Sequence, residues 1–106
     1  MNTINVLHSA PITLALFNHD ELGELPPLTR LLFIGLQCLT DKAGTIADDP
    51  KRIGETILRY DRLSTTEIDE MLHQLERSRM ITRREQGGRR LIEVSGLRKK
   101  KNQPRA

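Results

Sequence analysis

The stretch TRREQGGRRLIEV, Thr82 to Val94, constrains the fold more than any other part of the chain. Adjacent glycines supply two positions that take a positive φ without a Cβ penalty, as a two-residue hairpin turn of the primed type requires. With Gly87 and Gly88 at the turn, Gln86 faces Arg89, Glu85 faces Arg90, Arg84 faces Leu91, Arg83 faces Ile92 and Ile81 faces Val94. Glu85 opposite Arg90 is a favourable cross-strand charge pair in that register. Ile81, Ile92 and Val94 form an apolar base that must sit on a core, while Arg83, Arg84, Arg89 and Arg90 gather on both faces near the tip.

Hydrophobic spacing upstream supplies the core. Leu28 to Thr40 reads as a helix with almost no polar face, carrying Leu31, Leu32, Phe33, Ile34, Leu36, Cys38 and Leu39. Such a helix is expected in the middle of its domain, with Cys38 as a buried small hydrophobe. Pro27 suits its first turn, and Gly35 lets a neighbour approach closely. The segment TIA after Gly44 is short and strand-like. Asp49 and Pro50 then read as N-cap and first residue of a second helix, with Ile53, Ile57 and Leu58 inward and Lys51, Arg52 and Glu55 outward. Ser64 and Glu67 have capping-box spacing for a third helix, whose Ile68, Met71, Leu72 and Leu75 share one face and which should end near Ser78.

The order helix, short strand, helix, helix, strand, turn, strand predicts a mainly α fold with a small β-hairpin, the connectivity of a winged helix-turn-helix. The third helix would be the recognition helix and the hairpin the wing. A length of 106 residues suits one domain. Residues 26–95 are assigned to it. Residues 1–25 form an N-terminal segment in which Ile12–Phe17 reads as a short strand or an arm lying on the core. Residues 96–106, with no apolar periodicity, are expected to be a basic, flexible tail.

Charge is distributed unevenly. Residues 1–75 carry 6 Lys/Arg and 11 Asp/Glu, net −5, whereas residues 76–106 carry 11 and 3, net +8. This asymmetry points to an anionic partner for the C-terminal part. The aromatic residues are Phe17, Phe33 and Tyr60. That is too few for a protein that stacks bases of a single strand, so duplex DNA is the expected nucleic-acid target. The candidate DNA contacts are Arg83, Arg84, Arg89 and Arg90 on the wing and Thr65, Thr66, His73, Gln74 and Arg77 on the third helix. Arg98, Lys99, Lys100 and Lys101 on the tail complete the set. Glu67, Asp69 and Glu70 on the same helix repel phosphates and argue for backbone contact over base reading. Each of these features also has a plainer explanation: a charged hairpin discourages edge-to-edge pairing, and acids in a first turn complement the helix dipole.

Other chemistry is not indicated. One cysteine excludes an intrachain disulfide, and His8, His19, His73 and Cys38 lack metal-ligand spacing. Gly87-Gly88 has no surrounding phosphate-loop or dinucleotide pattern. Neither a nucleophile triad nor a paired acid and base is visible, so neither an enzyme nor a cofactor is expected. The N-terminus lacks the basic region of a signal peptide, and the longest apolar run, LLFIGLQCL, is far too short to cross a bilayer. These features lead to an expectation of a cytoplasmic protein without membrane contact.

Several stretches, in order, resemble the N-terminal domain of phage replisome-organiser and replication-initiator proteins. They are LTRLLFIGLQCLTDKAG (Leu28–Gly44), DDPKRI (Asp48–Ile53), RYD (Arg59–Asp61), MITRREQGGRRLIEV (Met80–Val94) and NQP (Asn102–Pro104), with ALFNHDELGEL upstream. The similarity spans residues 11–104. The chain departs from the family at Gln37, where Trp is common, and at Arg59, where Pro is common. The resemblance implies a winged-helix domain acting on duplex DNA in replication or its control, in the cytoplasm of a bacterial host. It carries no expectation of helicase loading. The alternative is a winged-helix interaction module, a phage factor that binds and modulates a host replication or regulatory protein. Either use is compatible with a homodimer.

Overall fold

Local signals set the helix boundaries. The computed structural model describes residues 20–94. A short helix α1 (Asp20–Gly23) precedes α2 (Pro27–Leu39), strand β1 (Thr45–Ala47) and α3 (Pro50–Ile57). A 3-10 turn (Arg59–Asp61) leads to α4 (Thr65–Arg77), and strands β2 (Ile81–Gln86) and β3 (Arg89–Val94) follow. The segment Ile12–Phe17 and the cations Arg98, Lys99, Lys100 and Lys101 lie outside the described residues.

Each cap anticipated from the sequence is present. The Asp49 carboxylate accepts from the Arg52 N–H at 3.2 Å, with Pro50 in the first turn. At α4 the Glu67 N–H donates to Ser64 Oγ at 3.1 Å and the Ser64 N–H donates to Glu67 Oε1 at 2.8 Å, a complete capping box. The other end of α4 closes in a Schellman motif: Met80 N–H donates to the Leu75 carbonyl and Arg79 N–H to that of Glu76. Arg79 takes the left-handed conformation this needs, at φ 63°.

The hairpin has the expected register at every pair from Ile81↔Val94 to Gln86↔Arg89, and Gly87 and Gly88 lie at φ 60° and 80°. It does not stand alone. β1 pairs antiparallel with β3, from Thr45↔Glu93 to Ala47↔Leu91, giving a three-stranded sheet in the order β1-β3-β2. The Asp48 N–H continues that pairing by donating to the Arg90 carbonyl at 2.9 Å. The architecture is α+β and winged-helix-like: α2, α3 and α4 pack against one another, and one sheet face, through Ile81, Ile92 and Val94, closes the core.

One reading of the sequence needs correction. The helix Pro27–Leu39 is not buried all round, and Cys38 is exposed. Its inner face carries Leu32, Phe33 and Leu36, whereas Leu31 and Leu39 are 45% and 38% exposed. Two helices and a small sheet cover only one side of α2 in a unit of this size, and an apolar composition alone does not reveal which side. Leu22 of α1, which precedes α2, is also buried in the core.

Glycine determines how closely the helices pack. A Cβ built at Gly35 of α2 would meet Ile57 Cγ2 of α3 at 2.5 Å, and one at Gly54 of α3 would meet Ile68 Cγ1 of α4 at 2.8 Å. Gly35→Val should therefore destabilise the fold by about 1–3 kcal/mol, the usual range for overpacking a core contact, despite a gain in helix propensity. Thermal melting followed by circular dichroism measures this, and an unchanged midpoint would mean the α2–α3 contact is not close.

Candidate nucleic-acid interface

Strand alternation divides the hairpin arginines into two sets. Ile81, Arg83 and Glu85 share the inner face with Val94, Ile92 and Arg90, and Thr82, Arg84 and Gln86 share the outer face with Glu93, Leu91 and Arg89. The inner set meets α4 and the loop after β1. Arg83 Nε donates to Asp48 Oδ2 at 2.8 Å, and its Nη2 donates to Asp48 Oδ1 at 3.0 Å and to Asp69 Oδ1 at 2.7 Å. The Arg83 and Asp48 side chains are only 8% and 1% exposed. One guanidinium thus joins β2, the β1–α3 loop and α4. Arg83 was a candidate DNA contact, but its fork is occupied by two carboxylates and turned away from solvent.

The hydrogen bonds shift the titration of both partners. The bond to Asp48, ahead of an opposing effect from burial, pushes the Arg83 guanidinium further above its already high range. The bond from Arg83, again against burial, holds the Asp69 carboxyl below the ordinary aspartate value.

The other three wing arginines remain exposed. Arg84 reaches diagonally to Glu93 at 3.3 Å on the outer face. The Arg90 guanidinium lies 3.7 Å from Asp48, although Glu85 is its cross-strand partner as expected. Arg89 has no ion pair among the described residues. Surface pairs such as Arg84–Glu93 contribute little stability and are readily exchanged for another anion.

On α4, Thr65, Thr66, His73 and Arg77 are exposed. His73 sits between Asp69 at 3.7 Å and Glu76 at 3.8 Å, and Arg77 is 4.0 Å from Glu70. Gln74 is engaged elsewhere: Thr29 Oγ1 of α2 donates to its Oε1 at 2.8 Å, which ties α4 to α2. The structure also assembles cations that sequence reasoning overlooked. Lys51, Arg59 and Arg62 line a groove between α3 and the start of α4. Two arginines flanking the exposed Tyr60 in RYDR were the available signal. Among the described residues, no group of three or more His, Cys, Asp or Glu could hold a metal ion, and no helix is long and apolar enough to cross a membrane.

Comparison with known protein families, with curated proteins and with solved structures returned no match.

The clamp makes two predictions. Arg83→Ala should cost about 3 kcal/mol of stability, the low end of the range for stranding a buried charge, because Arg90 remains near Asp48. Denaturant titration gives the value, and a loss under 1 kcal/mol would remove the clamp from the account. The second concerns acid. The depressed Asp69 contributes stability that is fully present above its ordinary value of 3.8 and is lost as pH falls through the lower folded value. Asp69→Asn should therefore flatten the pH dependence of the melting temperature below about pH 4. An unchanged acid limb would place the sensitivity on other carboxylates.

Proposed function

We propose that this chain is a winged-helix module that binds duplex DNA through the exposed tip of its wing and acts in phage-type DNA replication or its control. The supporting observation is the division of roles among the four wing arginines. Arg83 is buried in a clamp that fixes the hairpin to α4, and Arg84, Arg89 and Arg90 remain exposed on a tip whose direction is thereby set. A held cationic tip beside an exposed helix suits the contact of a wing with the phosphate backbone. The replication role rests on the resemblance to phage replication-initiator domains.

Charge limits the mode of binding. Residues 20–94 carry 12 Lys/Arg and 14 Asp/Glu, net −2, so attraction to DNA is local to the tip and not a property of the body. The exposed ridge of α4 presents Glu67 and Glu70 beside Thr66, His73 and Arg77, which disfavours close insertion into a groove. Backbone contact with little sequence preference follows. The same acidic ridge supports a second reading, in which the module docks on a basic surface of a host protein.

Three phosphate contacts at the tip contribute roughly −2.7 to the log–log salt slope. Arg84→Ala combined with Arg89→Ala should flatten it by about 1.8 and weaken binding to all duplexes alike. Fluorescence anisotropy on mixed-sequence duplexes at several salt concentrations tests this. Folding should survive, because both side chains are on the outer face and Arg83 is untouched. A folded wild-type chain that ignores duplex DNA at low salt would pass the argument to the protein-docking reading.

A further inference from the structure

The groove between α3 and the start of α4 has a volume of about 680 Å³. Its apolar lining includes Leu58 and Ile68, both 2% exposed. Lys51, Arg59 and Arg62 line it from the first turn of α3 and from the 3-10 corner, and Glu55 is the acid among the lining residues. Among the described residues none of these three cations has a carboxylate partner, whereas Arg77, Arg83, Arg84 and Arg90 all do. The nearby Glu67 carboxylate accepts from the Ser64 N–H in the capping box. Arg59 lies over the ring of Tyr60, 5.5 Å from its centroid, and that ring is 87% exposed. Arg62 holds a left-handed backbone at φ 50° and ψ 46°.

We propose that this corner is a second contact for the phosphodiester backbone of duplex DNA, separate from the wing. Three unpaired cations converging on a half-polar groove form a site for oxyanions, and a purely apolar partner would leave all three desolvated without compensation. The Arg59–Tyr60 contact limits the freedom of the guanidinium and lowers the entropy lost on binding. The proposal rests on the duplex-binding reading, and its test separates the two.

The experiment measures anisotropy of a labelled 20-base-pair mixed-sequence duplex between roughly 50 and 200 mM salt, the range over which such contacts register strongly. The variants are Lys51→Ala with Arg59→Ala, Arg62→Gly, and the wing pair Arg84→Ala with Arg89→Ala. Each lost phosphate contact should weaken binding up to about eightfold at 0.1 M salt and reduce the slope by roughly 0.9. Arg62→Gly is the more discriminating variant: glycine adopts the left-handed backbone freely, so melting temperature should hold or rise while affinity falls. Weakening by both corner variants with a flatter salt slope supports the proposal. If the corner variants are folded and bind like wild type while the wing pair weakens, the corner site is overturned and the wing reading stands. Weakening without a change in slope also overturns it, since the lost contact would not be to phosphate. Failure of the wild-type chain to bind overturns both.

Discussion

The geometry of this small domain depends on one ion cluster. Arg83 sits on the hairpin, Asp48 follows β1 and Asp69 is on α4, so three segments far apart in sequence meet at one guanidinium. Removing such charges from water costs several kcal/mol per ion, and a well-packed apolar substitute is often as stable. What the cluster supplies here is direction. A two-stranded ribbon anchored only by Ile81, Ile92 and Val94 at its base can swing at its tip. A bidentate fork to a carboxylate that is itself buried fixes the ribbon's angle to α4. β1 reinforces this by pairing with β3, which keeps the Asp48 backbone against Arg90.

The described body is slightly acidic, yet its cations are concentrated at the hairpin tip and at the turn between α3 and α4. Neither place owes its potential to net charge. Each depends on short-range geometry, and at physiological ionic strength charges separated by more than about 8 Å of solvent are largely screened from one another.

Much of the fold was legible from local chemistry. The register of β2 and β3 follows from two glycines and one charge pair, and the starts of α3 and α4 follow from Asp49-Pro50 and from Ser64 with Glu67. These features are encoded within a few residues. What failed depended on distant neighbours. Alternation places Arg83 on the face of Ile81 and Ile92, but nothing in the hairpin indicates that a carboxylate 35 residues earlier will occupy that face. Cys38 was misjudged because an apolar helix does not announce which side its neighbours cover. The corner groove went unnoticed because Lys51, Arg59 and Arg62 come from both ends of a helix and read as ordinary solvated charges until the turn brings them together.

The two glycine contacts have a consequence for how this sequence can vary. Gly35 faces Ile57, and Gly54 faces Ile68, so α3 gives a bulky side chain to α2 and receives one from α4. Volume at each contact is shared between two positions and is nearly constant. A larger residue at 35 is tolerable only with a smaller one at 57, and the same holds for 54 and 68. In divergent copies of the chain these positions should change in pairs, and a single exchange at either would make its partner the next site to change.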